Sequence, residues 1–183
     1  MLILGGILVL GIFGVGVYNS LIRRRNRVDQ AFSSIEVQLT QRYDLIPKLV
    51  ETVKQYMGHE RTVLEDIVRL RQKAVSATDP SQKIAADNEL TRAMGQLNVT
   101  LENYPQLKAS DTFVQLQRSL NEVEEQLAAA RRSYNASVME YNTAVQTFPN
   151  SLIAGSMDFG TRTMFVADDK KRGDVDMRGL FQA

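Results

Sequence analysis

The chain has 183 residues, no cysteine, one histidine, and 22 basic against 21 acidic residues, a formal net charge of +1. The absence of cysteine excludes disulfides and thiolate metal sites. Without the cluster Arg23, Arg24, Arg25 and Arg27 the chain carries 18 basic against 21 acidic residues, net −3, the wrong sign for an electrostatic nucleic-acid binder.

The first 22 residues carry no charged side chain. As a helix they would cover about 33 Å, enough for a hydrocarbon core of about 30 Å. A cleaved signal peptide needs basic residues before its apolar run and a small-residue cleavage site after it. Here the arginines follow the run and no such site is seen, so residues 1–22 read as a single transmembrane anchor. Positive flanks stay in the cytoplasm. Arg23, Arg24, Arg25 and Arg27 therefore place the N-terminus outside and the remaining chain in the cytoplasm, next to anionic lipid.

From Val28 to Ala74 apolar positions recur in alternating steps of four and three: Val28, Phe32, Ile35, Leu39, then Ile46, Leu49, Val53 and onward to Ile67, Leu70 and Ala74. Only Arg42 and Glu60 interrupt the seam. This period predicts one long helix, about 23–76, burying a narrow stripe. Pro47 lies inside it, removes a backbone donor and crowds the carbonyl of Tyr43, so a kink is expected there. Gly58 is the other weak point. Nothing near it resembles an N-cap and the seam keeps its phase across it, which favours continuity over a reversal into a closed four-helix bundle.

Asp79-Pro80-Ser81-Gln82 reads as a cap, a first-turn proline and a capping-box position, opening a second helix over 80–103. Tyr104-Pro105 breaks it. A third helix is expected over 111–147, with its stripe on Phe113, Leu116, Leu120, Val123 and Leu127. Phe148-Pro149 ends it, and a short turn follows over Ser151–Ala154. No alternating strand pattern is seen. The fold class is all-α: an N-terminal transmembrane helix (1–22) continuing into an elongated antiparallel helical bundle (23–154), with a C-terminal tail (155–183). The tail reads equally as docked on another surface or as partly disordered.

Little in the chain carries chemistry. His59-Glu60 starts like an HExxH zinc helix, but Val63 stands where the second histidine belongs. There is no Glu-x-x-His pair, no nucleophile with a base unless His59 supplies it, and no glycine-rich phosphate loop. Catalytic, cofactor-binding and metal-binding residues are therefore expected to be absent. Glu122, Glu124 and Glu125 read as a solvated helix face. Tyr134-Asn135 and Tyr141-Asn142 repeat at seven residues, so each type stacks on one face. Asparagine is a poor helix-interior residue unless its amide is bonded. The four residues read either as a register ladder between helices or subunits, or as solvent-facing amides beside core tyrosines.

Several strings together resemble the LemA family of single-span bacterial membrane proteins. They are Tyr18-Asn19, the run from Arg42 through Asp44-Leu45-Ile46-Pro47 to Val50, Tyr56 to Glu60, Glu102 to Ala109, and Arg131 to Pro149 with both Tyr-Asn pairs. Lys48 departs from the asparagine usual in the family. The resemblance implies an anchored helical bundle in the bacterial inner membrane, without enzymatic activity. Beside it, geometry suggests a function. A second helix of about 36 Å covers only the distal half of a continuous seam. Phe32, Ile35, Leu39 and Ile46 would then contact neighbouring copies, making a homo-oligomeric scaffold, a ring or belt on membrane lipid. The competing expectations are an adaptor presenting a helical surface or its tail to another membrane protein, and a hydrolase built on His59.

Overall fold

The computed structural model describes residues 2–57 and 61–165; of these, the side chains of residues 2–4, 7, 9 and 10 are left aside. Helices account for most of the described residues and no strand occurs among them. They are α1 (Leu2–Lys54), α2 (Arg61–Ser76), α3 (Pro80–Thr100), α4 (Pro105–Lys108), α5 (Asp111–Gln146) and α6 (Asn150–Ser156), with a 3-10 turn at Leu101–Asn103. Asp79 caps α3 by accepting from the amides of Ser81 and Gln82 at 2.9 and 3.1 Å, and Pro80 occupies the first turn.

The single helix expected over 23–76 is instead two helices. α1 ends at Lys54, where the amides of Tyr56 and Met57 both turn back to the carbonyl of Val53. α2 then runs antiparallel to α1, with Leu64, Ile67, Leu70 and Ala74 buried. The unbroken phase of the seam is a property of two helices that each bury one stripe. Gly58, His59 and Glu60 lie outside the described residues, so the expectations on His59 fall there too.

Ion pairs fix the helix directions. Arg27 meets Glu140 and Arg42 meets Glu124, so α5 runs antiparallel to α1. Lys83 meets Glu36 and Arg42 meets Asp87, so α3 runs parallel to α1; Lys73 meets Glu89 across the α2–α3 hairpin. The result is an up-down-up-down four-helix bundle from which the first half of α1 projects.

The reversal corrects the placement of the subunit contact. Ile35, Leu39 and Ile46 are buried within the chain, and Phe32 is half-buried with its ring centroid 5.6 Å from that of Tyr134. α5, at 36 residues about 54 Å long, runs beside this whole stripe, and α3 joins it from about Glu36 onward. Ile35, Leu39 and Ile46 are therefore taken up by contacts within the chain.

Pro47 sits inside α1, which continues for two more turns. Without an N–H at Pro47, the Tyr43 carbonyl four residues earlier loses its helical donor. Arg71 of α2 supplies one, its Nε donating to that carbonyl at 2.6 Å. The proline thus creates an acceptor that ties α2 to α1.

The expected membrane anchor forms the start of α1. Among the described residues no helix is long and apolar enough to cross a membrane. Met1 and the side chains of residues 2–4, 7, 9 and 10, which belong to the expected span, are outside the described set.

Arg71→Ala is expected to destabilise the bundle by about 1–3 kcal/mol by leaving a buried carbonyl unpaired. In a Pro47→Ala background, where alanine restores the N–H, the same change should cost far less. Equal costs in both backgrounds, measured by urea unfolding in detergent, would contradict the capping role.

Candidate functional site

Two features stand apart from ordinary helix packing, and they meet at Phe165. The first is a charged centre inside the bundle. Arg42, the polar interruption of the α1 seam, is 2% exposed and Asp87 of α3 is fully buried. Arg42 Nη1 donates to Asp87 Oδ1 at 2.8 Å and to Thr91 Oγ1 at 3.0 Å. Its Nε lies 2.7 Å from Glu124 Oε1, an ion pair too bent for a well-formed hydrogen bond. Arg131 of α5 donates from Nη2 to the other Asp87 oxygen. Two guanidiniums and two carboxylates balance in charge, so the centre is neutral as a whole. The Tyr43 hydroxyl is buried without a well-formed hydrogen bond. Burial first, then the negative charge of Asp87, pushes its ionisation well above the ordinary tyrosine range.

This centre does not resemble a catalytic one. Asp87 is held by two cations and sealed from water, so it is poorly placed to act as a base. No group of acidic or histidine residues able to hold a metal occurs among the described residues. A cleft of about 240 Å³ between α1, α3 and α5 reaches Arg42, Thr91 and Glu124. Arg42 enters it already committed to three partners.

The second feature is the ladder on α5. Tyr134, Asn135, Tyr141 and Asn142 bond to the backbone of the extended segment 160–165, and not to another helix. Asn142 donates from Nδ2 to the Arg162 carbonyl at 2.9 Å and accepts the Arg162 amide at 2.8 Å. Asn135 does the same for Phe165, at 2.8 and 2.7 Å. Tyr141 donates to the Gly160 carbonyl at 3.0 Å and Tyr134 to the Thr163 carbonyl at 2.9 Å. Each asparagine amide presents the donor and acceptor of a neighbouring strand.

The spacing explains the repeat. Seven helical residues advance about 10.5 Å, and three extended residues about 10 Å. Asn135 and Asn142 therefore match Phe165 and Arg162, and Tyr134 and Tyr141 match Thr163 and Gly160. The segment runs antiparallel to α5. Phe159 packs edge-on to Tyr18 with ring centroids 5.8 Å apart, under the Arg25 guanidinium, and Arg162 approaches Asp29 at 3.8 Å. At the far end Phe165 is buried beneath Arg131, 4.7 Å from guanidinium to ring centre, which joins the ladder to the charged centre. The tail from Val166 lies outside the described residues.

Of the other singled-out residues, Arg24 and Arg27 face Glu140, at 3.8 and 3.1 Å, Arg25 covers Phe159, and Arg23 is exposed. Glu124, read as part of a solvated face, is instead an ion-pair partner of Arg42. Sequence reasoning missed Asp87, although Arg42 at a seam position was a signal that a buried carboxylate must exist.

Asp87→Ala strands two guanidiniums and should cost about 3–5 kcal/mol, part of which returns on adding Arg42→Met. Urea unfolding followed by circular dichroism checks this, and a cost below about 1 kcal/mol would mean the pair behaves as a surface bridge. Asn135→Ala with Asn142→Ala should speed amide exchange at Arg162 and Phe165 while the melting of the bundle moves little. Burial raises the ionisation of Tyr134 and Tyr141, so their contribution is complete below the free tyrosine value of about 10 and is lost as pH rises beyond it. Exchange at the strap should accelerate over that alkaline range.

A family model described as the LemA family matches residues 31–178. Protein LemA of Metamycoplasma hominis is 29% identical over 178 residues, covering 95% of this chain and 81% of that protein. Magnetosome protein MamQ of Magnetospirillum gryphiswaldense is 24% identical over 184 residues, covering 86% of this chain and 67% of that protein. Magnetosome protein MamQ 1 of Paramagnetospirillum magneticum shows the same identity and coverage. The matched region contains the charged centre, both rungs of the ladder and the strap they hold, and the chain belongs to the LemA family.

Proposed function

We propose that this chain is a membrane-anchored, non-catalytic adaptor that holds a helical surface and a C-terminal tail at a set position above the bilayer. The single observation that carries the reading is the ladder. Six hydrogen bonds involving four α5 side chains fix residues 160–165 on the bundle, so the backbone at Phe165 is held at one place, beside Arg131. A tail of no consequence would not need its backbone held in register.

Anchoring rests on the apolar start of α1. Leu8, Ile12, Phe13 and Val15 are all more than half exposed among the described residues. Arg23, Arg24, Arg25 and Arg27 follow about two to three turns later and favour a cytoplasmic bundle. Self-assembly into a ring or belt loses its motive, because Ile35, Leu39 and Ile46 are buried within the chain. What favours an adaptor over an enzyme is that the buried charges are mutually neutralised.

The test is a photo-crosslinking residue placed at Phe181 in the full chain in cells. A discrete adduct to another membrane protein, lost on Asn135→Ala with Asn142→Ala, is the expected result. Adducts made only of copies of this chain, together with a large particle mass in mild detergent, would favour the scaffold. Protease added to spheroplasts should spare the bundle, and its digestion there would reverse the orientation.

A further inference from the structure

The corner where α5 meets α6 has an unusual surface. From Tyr141 to Met157 there is no charged side chain. Phe148 is 75% exposed, Leu152 67% and Met157 55%. The opposite side of α6 packs on α1 and α5, with Ala154 buried and Ile153 against the core. The corner therefore packs Ile153 and Ala154 inward and leaves Phe148, Leu152 and Met157 facing outward. The hydroxyls of Thr147 and Ser156 donate to the carbonyls of Thr143 and Ile153, so both are satisfied within the corner.

Its height along α1 gives this surface a meaning. Met157 shares a shallow apolar recess with Gly11, Gly14, Val15 and Tyr18. Arg24 and Arg27 lie lower, level with Glu140. At 1.5 Å per residue, positions 11–18 stand about 9–20 Å beyond Arg24 on the side away from the bundle. An apolar face sinks about 5–10 Å into the headgroup and acyl boundary when it lies on a membrane. With the arginines among the headgroups, the recess that holds Met157 begins at that depth and reaches beyond it, towards the acyl chains.

We infer that the α5–α6 corner is a second membrane contact, an uncharged wedge seated in the lipid interface beside α1. This rests on the anchored reading above. The lipid surface is favoured over a second copy because the corner is continuous with the exposed apolar side of α1 and backed by a collar of arginines suited to anionic headgroups. A single helix leaves the bundle free to swivel about its axis. A contact displaced to one side removes that freedom and fixes which face of the bundle points along the membrane.

The chain has no cysteine, so single labels are clean. Leu152→Cys, Ile12→Cys and Val114→Cys, the last exposed at the far end of α5, are each labelled with an environment-sensitive fluorophore. The full-length proteins are placed in phosphatidylcholine and phosphatidylglycerol vesicles and quenched by lipid-borne nitroxide or aqueous iodide. The Leu152 label should be quenched by nitroxide at least about twofold more than the Val114 label, and be correspondingly shielded from iodide. Iodide access at Leu152 with a lipid-embedded Ile12 label would overturn the wedge and leave the anchor standing. A Leu152 label shielded from both quenchers means a protein covers the corner, which also overturns it. Nitroxide quenching at Leu152 with an aqueous Ile12 label would support the wedge and sink the anchor.

Discussion

One constraint organises this fold: α1 buries a stripe, from Val17 to Val53, that neither α2 nor α3 is long enough to cover. The stripe runs for about 55 Å, while α2 and α3 are about 24 and 32 Å long. Burying each large apolar residue contributes roughly 1.5–3 kcal/mol, so no part of the stripe is cheaply left in water. The chain solves this in two storeys. Beside residues 28–54 of α1, α2, α3 and α5 close a four-helix bundle. Higher up, where the α2–α3 hairpin has ended, α5 continues alone. There α6 and the extended strap take the place of the missing helices over Val17, Leu21 and Val28. The strap is a structural member of the upper storey.

The charged centre sits in the middle of the lower storey. Putting Arg42 and Asp87 into an apolar core has a desolvation cost that their attraction does no more than offset. Its effect is on specificity. A helix slip of one turn would leave a buried ion without its partner, so the centre holds α1, α3 and α5 in one register. Arg131 carries that register outward, with one face of its guanidinium on Phe165 and one donor on Asp87. The end of the strap is thereby set by the same residue that completes the core.

The helices were legible because their stripes are long and their caps conventional; Asp79-Pro80 marks the start of α3 as plainly as any stretch here. The reversal after Lys54 was not legible. Two helices that each follow a three-four repeat kept a common phase across the turn, and periodicity records faces without recording direction. Arg42 was visible as a polar residue in an apolar seam, but Asp87 is one acidic residue among several on α3. Glu124 looked like its solvated neighbours Glu122 and Glu125. The ladder residues stood out by their repeat, while their partner did not. They bind main chain, which every sequence has and none advertises.

That last property shapes how the protein can change. A contact between side chains constrains two residue identities, whereas the asparagine rungs constrain an identity on α5 and only a position on the strap. Thr161 and Arg162 can be exchanged for most other residues without disturbing what Asn142 reads, proline at the amide it accepts being the plain exception. What must be preserved is distance: the number of residues between the end of α6 and Phe165. A single insertion there would displace Arg162 and Phe165 together, while many substitutions would pass unnoticed. In this part of the chain, evolution has wide freedom over composition and very little over length.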